Sequence, residues 1–279
     1  MSRIYWIIWW CCCLPLGLWA AKVDSLLIDS PSMGHGVKVV VISPDKATSE
    51  ACPTLYLLHG HSGNEKTWLV IKPNLPEIVD EKGLIVVCPD GENSWYWDSP
   101  LNANVRYETF ISDELVRYVD GHYKTIADRR GRAIAGLSMG GHGALWNAIR
   151  HSDVFSAAGS MSGGLDIRPF PKNWNMSDQL GDQSTHPDNW ESHTVINLIP
   201  RMEKGRLAII VDCGEEDFFL KVNKAFHEAL LKKRIDHDFI TRPGAHNNAY
   251  WGNSIDYQIL FFMKHFSRLQ AEKDGARMR

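Results

Sequence analysis

Short apolar blocks separated by turn residues recur along the chain and predict a series of strands. A continuous apolar run of this kind is typical of a parallel strand that is buried on both faces of a sheet. The β-branched run at residues 37–42 predicts an earlier strand, paired with residues 25–28 as an antiparallel edge. We predict the buried parallel strands at residues 53–58, 84–90, 133–135, 155–160, 207–211 and 238–241.

Helical patterns fall between these strands. Residues 107–123 place apolar side chains three and four positions apart, and further helices are predicted at residues 76–82, 139–150 and 218–234. Strands that alternate with helices imply an α/β fold with a mostly parallel, doubly wound sheet and helices on both faces. Residues 164–206 break the pattern with four prolines, which predicts an irregular insertion over the functional site.

The most informative turn follows the strand at residues 133–135. It has the pattern Gly-x-Ser-x-Gly, with Gly136, Ser138 and Gly140 at the fixed positions, and a helix begins directly after it. Small residues on both sides of the serine let the backbone bend sharply and pack closely, so the hydroxyl projects from the end of the sheet. This pattern predicts a nucleophile elbow with Ser138 as the nucleophile.

Two later strands end in residues that complete the same chemistry. In α/β enzymes that transfer acyl groups from serine, the chain order is serine, acid, histidine, with the last two on loops after later strands. Asp217 and His246 occupy those positions. The neighbouring acids Asp212, Glu215 and Glu216 remain alternatives at this point.

Other histidines could serve different purposes. His59 and His61 follow the strand at residues 53–58 and alternate as a metal-binding pair would, but no third ligand accompanies them at a plausible spacing. A polar loop is the favoured interpretation, and no metal or other cofactor is predicted. His142 lies in the helix after the elbow, where packing is favoured over a role as a base.

Three consecutive aromatic residues, Trp95, Tyr96 and Trp97, follow the strand at residues 84–90. Flat rings on a loop at the ligand-binding end of a sheet suit sugar or aryl faces, which predicts a substrate wall. The alternative is that the rings pack on the domain.

The first twenty residues differ from the rest. Arg3 is followed by an almost wholly apolar stretch to Trp19 and a small residue, Ala20, at a possible cleavage point. We predict a secretory signal peptide at residues 1–20, a single domain at residues 21–279, and a secreted or periplasmic location. A membrane anchor is the alternative, although the apolar run is short against the ~20 residues of a spanning helix.

Cysteine content and charge narrow the picture further. Cys52, Cys88 and Cys213 remain after the signal peptide, and an odd number cannot all pair within one chain. Cys88 and Cys213 end apolar runs, which favours buried free thiols over a disulfide. The net charge is -3 without a long basic run, so neither a nucleic-acid partner nor a membrane partner beyond export is predicted. A small or neutral substrate fits better.

Four motifs together resemble the esterase D type family of α/β-hydrolases, which includes tributyrin, feruloyl and acetyl-xylan esterases, S-formylglutathione hydrolases and mycolyltransferases. The resemblance covers about residues 28–266 and is closest to the secreted branch. One departure is that many members carry an acidic residue soon after the histidine, where this chain has Asn247 and Asn248. The motifs are Gly136-Leu-Ser-Met-Gly-Gly141, Leu57-Leu-His-Gly60, Cys213-Gly-Glu-Glu-Asp217-Phe218 and Pro243-Gly-Ala-His246.

The resemblance implies an α/β-hydrolase fold and favours Asp217 as the acid of a Ser-Asp-His triad. Backbone N–H groups of His61 and Met139 would hold the oxyanion. The expected function is a secreted serine carboxylester hydrolase that acts on acyl or feruloyl esters of plant cell-wall carbohydrate, with a small-molecule or oligosaccharide ester as its substrate. The alternatives are an acyltransferase of the mycolyltransferase type and a non-catalytic carbohydrate-binding protein on the same fold.

Overall fold

Eight strands form one sheet in the computed structural model, which describes residues 21–45 and 50–277. The spatial order is β1-β2-β4-β3-β5-β6-β7-β8; β1, β2 and β4 pair antiparallel, and all later pairs are parallel. The predicted antiparallel edge and the mostly parallel sheet are confirmed. The strands are β1 (Lys22–Ser30), β2 (His35–Ser43), β3 (Thr54–Leu58), β4 (Ile85–Pro89), β5 (Arg132–Leu137), β6 (Ala157–Met161), β7 (Ala208–Gly214) and β8 (Asp238–Arg242).

Helices connect the strands and cover the sheet. A π-helical turn at Phe110–Glu114 joins α3 to α4, so that the helix predicted at residues 107–123 is continuous. The helices are α1 (Thr67–Ile71), α2 (Leu75–Lys82), α3 (Tyr107–Thr109), α4 (Leu115–His122), α5 (Met139–Arg150), α6 (Met176–Leu180), α7 (Pro187–Ser192), α8 (Leu220–Lys233) and α9 (Asn248–Arg277). Short 3-10 turns lie at Arg129–Gly131 and Val195–Arg201.

Two apolar layers enclose the sheet because successive strand residues point to opposite faces. On β2, Val39 and Val41 belong to the layer that α5 and α8 cover, whereas Val40 and Ile42 belong to the layer that α2 and α9 cover. Helices therefore lie on both faces, as expected for a doubly wound sheet.

The C-terminal helix α9 has no counterpart among the predicted elements. It buries Ile255, Ile259 and Phe262 against the sheet, but Tyr257 and Leu260 remain largely exposed. This weak contrast between the two sides of the helix explains why the apolar pattern did not indicate it.

The predicted insertion after β6 contains more regular structure than its prolines suggest. Both α6 and α7 and the 3-10 turn Val195–Arg201 lie in it. The predicted signal peptide at residues 1–20 lies outside the described residues. Within the part of the chain that is described, no helix has the length and apolar character needed to cross a membrane.

Candidate active site

The turn between β5 and α5 is as tight as its small residues allow. Ser138 adopts φ 53° and ψ −117°, a conformation that a residue with a side chain rarely adopts. A Cβ atom on Gly136 would lie 2.4 Å from the Gly140 carbonyl oxygen, and one on Gly140 would lie 2.5 Å from the carbonyl oxygens of Leu58 and His59. Only glycine fits at both positions, so the sequence pattern holds Ser138 at the end of the sheet.

Ser138, His246 and Asp217 form one chain of hydrogen bonds. The Ser138 hydroxyl donates to His246 Nε2 at 2.9 Å, and His246 Nδ1–H donates to Asp217 Oδ2 at 2.8 Å. The three residues come from the loops after β5, β7 and β8, whose carboxyl ends meet at one edge of the sheet. The carboxylate fixes the tautomer in which Nε2 can accept the serine proton.

The Asp217 side chain is buried and fixed on its second oxygen as well. Its Oδ1 atom accepts the Phe219 backbone N–H at 2.8 Å. Asp212, one of the alternative acids, is instead paired with Arg242 and accepts a hydrogen bond from Ser254. Burial raises the pKa of Asp212, which lies in a structural link between β7, β8 and α9.

The other two alternative acids, Glu215 and Glu216, are exposed. Their backbone N–H groups bond to the β8 end and the following loop, at the carbonyls of Arg242 and Gly244. Asp217 is therefore the acid that the structure places against His246.

The two segments expected to form the oxyanion hole lie in direct contact. A Cβ atom on Gly60 would lie 3.3 Å from Ser138 Cβ. Met139 is the first residue of α5, a position whose N–H has no acceptor within its own helix. The loop that carries His61 and the start of α5 thus both lie next to Ser138.

His59 and His61 do not form a metal pair. The buried His59 donates from Nδ1 to the Gly60 carbonyl at 2.7 Å and accepts the Gly91 N–H on Nε2 at 2.8 Å. His61 instead bonds through Nε2 to Asn175 Oδ1 at 3.1 Å. Among the described residues no group of three or more His, Cys, Asp or Glu side chains could hold a metal ion.

A cavity of about 590 Å³ opens beside Ser138 and His246. Its apolar wall includes rings that the sequence did not single out as site residues, namely Trp174, Phe218 and Trp251, and its polar wall includes Lys66 and Thr67. Trp251 meets the His246 ring edge-on at 4.8 Å, and Phe218 lies over it at 4.2 Å. The full lining is Gly60, His61, Ser62, Gly63, Asn64, Lys66, Thr67, Val70, Ile71, Leu137, Ser138, Trp174, Phe218, His246, Asn248 and Trp251.

The rings of Trp95, Tyr96 and Trp97 do not form the substrate wall that their sequence suggested. At most 1% of each residue is exposed, and none of the three lines the cavity. Tyr96 packs under the His59 loop, where its hydroxyl donates to the His59 carbonyl at 3.1 Å. The alternative, that the rings pack on the domain, describes them correctly, because the loop turns them inward.

His142 lies below these rings and is fully buried. Its Nε2 accepts the Trp97 indole N–H at 2.8 Å, and its Nδ1–H donates to the Gly164 carbonyl at 2.9 Å. Burial lowers the pKa of His142 to about 3. A neutral histidine with both nitrogens bonded is a packing element, as expected. Cys88 and Cys213 are likewise buried free thiols, and burial raises the pKa of each.

Comparison with known proteins places most of the chain in a family. The family model described as "Putative esterase" matches residues 30–262. The chain belongs to this esterase family. It is 28% identical to an acetyl esterase from Caldicellulosiruptor saccharolyticus, over 77% of this chain and 86% of the relative.

Two further similarities bear on the chemistry of the esterase. A mycolyltransferase from Mycolicibacterium smegmatis, described as diacylglycerol acyltransferase/mycolyltransferase Ag85B, is 29% identical over 85% of this chain and 83% of its own. The solved structure of a ferulic acid esterase superposes with a TM-score of 0.76 and 29% identity, over 89% of this chain and 99% of that one. The protein is a carboxylesterase with the α/β-hydrolase fold.

Proposed function

We propose that this carboxylesterase is secreted and hydrolyses acyl or feruloyl esters of plant cell-wall carbohydrate through an acyl-enzyme on Ser138. The observation that carries the proposal is the hydrogen-bonded chain from Ser138 through His246 to Asp217, of which Ser138 and His246 line the cavity. Support for secretion comes from the apolar residues 4–19 and the small residue that follows.

Acylation begins with the Ser138 hydroxyl. Serine is a poor nucleophile at its own pKa, so His246 Nε2 takes the proton as Oγ forms a bond to the ester carbonyl carbon. The imidazolium that results is stabilised by the Asp217 carboxylate at 2.8 Å. His246 then gives the proton to the leaving alkoxide, the carbon–oxygen bond to the alcohol breaks, and the acyl group stays on Ser138.

Deacylation repeats these steps with water. His246 takes a proton from water as the oxygen attacks the acyl carbon, and returns it to Ser138 Oγ as the free acid leaves. In both steps the carbonyl oxygen becomes negative. The backbone N–H groups of His61 and Met139 would stabilise that charge, because each lies on a segment in contact with Ser138.

Support for a ring-bearing substrate comes from the cavity and from the relatives. Trp174, Phe218 and Trp251 supply flat apolar surfaces beside the reactive groups. Aromatic side chains of this kind suit both aryl acyl groups and sugar rings. The names of two similar proteins, an acetyl esterase and a ferulic acid esterase, point to short acyl and aryl acyl groups.

Replacement of Ser138 by alanine tests the proposal. We expect hydrolysis of a p-nitrophenyl ester and of a feruloylated xylo-oligosaccharide to fall by at least about 10³-fold, because no nucleophile remains. Ser62→Ala, another hydroxyl on the cavity wall, serves as the matched control. Turnover by Ser138→Ala at a rate close to that of the native enzyme would rule out the assignment.

Acyl transfer is the second candidate, because the mycolyltransferase similarity covers most of the chain. The same acyl-enzyme would then react with a sugar hydroxyl in place of water. Hydrolysis of a feruloyl ester in the presence of a disaccharide acceptor distinguishes the two. Formation of acylated sugar faster than free acid would favour transfer, and free acid alone would favour hydrolysis.

A further inference from the structure

Trp174 holds an unusual position for a large aromatic residue. It lies in the insertion after β6, lines the cavity, and adopts φ 51°, the left-handed region that favours glycine. The next residue, Asn175, has φ 56°. Residues held in such conformations are found where the surrounding contacts determine them, often at ligand sites.

The ring of Trp174 begins a stack that ends on the catalytic imidazole. It stacks on Phe218 with 5.5 Å between ring centroids and 18° between planes. Phe218 in turn lies over the His246 ring at 4.2 Å, although half of its own surface is exposed. The two cavity rings of this stack, Trp174 and Phe218, therefore form an apolar platform beside the reacting groups.

The buried aromatic residues at positions 95–97 hold this platform in place through Trp95. The indole N–H of Trp95 donates to the Trp174 carbonyl at 3.1 Å, and the two rings contact each other at 6.3 Å between centroids. Trp95 is itself stacked on Trp97 at 5.6 Å, and both meet the His142 ring edge-on. Trp95 thus reaches the cavity wall through Trp174, although it has no surface there.

We propose that Trp174 and Phe218 bind an aryl ring of the ester substrate, and that Trp95 positions Trp174 for that contact. The inference rests on the proposed ester hydrolysis. It assigns selectivity for ring-bearing esters to the insertion, while the bond-breaking groups lie on the loops after the strands. The aryl ring could belong to the acyl group or to the alcohol, and these two sources are separated by the test.

The test compares three esters on the full mature chain. Methyl 3-phenylpropionate carries the ring on the acyl side, 2-phenylethyl acetate carries it on the alcohol side, and ethyl butanoate carries none. In both ring esters a saturated spacer separates the ring from the reacting group, so intrinsic reactivity changes little. The readout is the ratio of kcat/KM for each ring ester to kcat/KM for ethyl butanoate.

For Trp174→Ala we expect this ratio to fall about tenfold for one of the two ring esters, mainly through KM, because the ring loses its contact surface. Trp174→Phe keeps a ring and should recover most of the ratio. Trp95→Phe removes the N–H that holds the Trp174 carbonyl together with part of the buried ring, and the ratio should fall about threefold, again through KM.

Trp190→Phe is the matched control. Trp190 is also a buried tryptophan whose indole N–H donates to a backbone carbonyl, that of Gly181 at 2.8 Å, but it does not line the cavity. This variant should leave the ratio within about twofold of the native value. If Trp190→Phe shifted the ratio as much as Trp95→Phe, a non-specific loss of core packing would explain the result. The positioning role of Trp95 would then be wrong.

The two levels of the proposal fail differently. If the native enzyme hydrolysed none of the three esters, the proposed function itself would fail. If it hydrolysed them and Trp174→Ala left both ratios unchanged, ester hydrolysis would stand and the aryl platform would be refuted.

Discussion

His246, in the loop after β8, and His142, in α5, make the same number of ring hydrogen bonds. In each ring Nδ1–H donates a hydrogen bond to an oxygen and Nε2 accepts one from a second group. All four bonds are 2.8 to 2.9 Å long. The oxygen is a carboxylate for His246 and the Gly164 backbone carbonyl for His142. The donor to Nε2 is the hydroxyl of Ser138 in the first case and the indole of Trp97 in the second.

These partners separate the proposed proton carrier from a packing element. In the proposed mechanism a carboxylate stabilises the imidazolium that forms when His246 takes a proton, whereas a neutral carbonyl in a buried site gives His142 little such support. Trp97 also keeps its proton, so His142 has none to receive. Sequence position near the nucleophile is therefore a poor guide to catalytic role.

The largest effect should come from making the two histidines alike. Asp217→Asn replaces the carboxylate by a neutral amide of the same shape, so the imidazolium loses its partner and the tautomer is no longer fixed. We expect kcat for p-nitrophenyl acetate to fall about 10⁴-fold, with little change in KM. Steady-state kinetics measures this directly.

Glu216→Gln is the control for Asp217→Asn, because Glu216 is a neighbouring carboxylate that is exposed to solvent. Its kcat should match that of the native enzyme. A large loss of kcat in Glu216→Gln, together with a small loss in Asp217→Asn, would show that Asp217 is not the acid that partners His246. The comparison between the two histidines would then be wrong.

His142→Leu should affect stability. It leaves the Trp97 indole N–H and the Gly164 carbonyl without their partner inside the core, and each such loss costs about 1–3 kcal/mol. We expect the free energy of unfolding to fall by about 2–5 kcal/mol in urea titrations at pH 7. The surviving folded fraction should keep a kcat close to the native value. His122→Leu, at an exposed position, should change stability by less than about 1 kcal/mol.

The His142→Leu variant should also change how stability depends on pH. Because burial lowers the pKa of His142 to about 3 from an ordinary value of 6.5, the unfolded chain binds this proton more readily than the folded chain. The stabilising contribution is complete above about pH 6.5 and is lost as pH falls toward 3. In His142→Leu, stability should decline less steeply between pH 6 and 4, by up to about 1.4 kcal/mol per pH unit. An unchanged slope would show that His142 does not stay neutral in the core.

Sequence alone could predict the strands and the residues at their ends. A buried parallel strand is a local apolar run, and the turns after β5, β7 and β8 begin where such runs stop. Ser138 and His246 were found for this reason, whereas Asp217 was favoured over the neighbouring acids by the family resemblance. The structure brings all three together, and their catalytic roles stay a prediction. The fold class followed from the same local signals.

The cavity wall could not be predicted in this way. The burial of Trp95 and Tyr96 depends on a loop in which both residues have positive φ, 56° and 61°, and a run of aromatic letters does not indicate which way it turns. Trp174 lies on the cavity because of the three-dimensional path of residues 164–206. Its position depends on long-range contacts with Trp95 and Phe219, for which the local pattern has no signal.

A third histidine extends the comparison to the surface, where the smallest effect is expected. The half-buried His61 ring donates from Nε2 to the exposed Asn175 at Oδ1, at 3.1 Å, and accepts from the Ser62 hydroxyl at 3.0 Å, while its backbone N–H is proposed to hold the oxyanion. Water can replace an exposed partner, so the net value of this bond is near 0.5 kcal/mol, or about twofold in rate. Asn175→Ala should lower kcat for ethyl butanoate by about two- to threefold. Asp178→Ala removes the other side-chain bond of Asn175, at 3.0 Å, and should lower kcat by no more than that. A loss of kcat above about tenfold in Asn175→Ala alone would mean that the contact between Asn175 and the His61 ring sets the position of the His61 amide. Water would then not replace Asn175, although Asn175 is exposed.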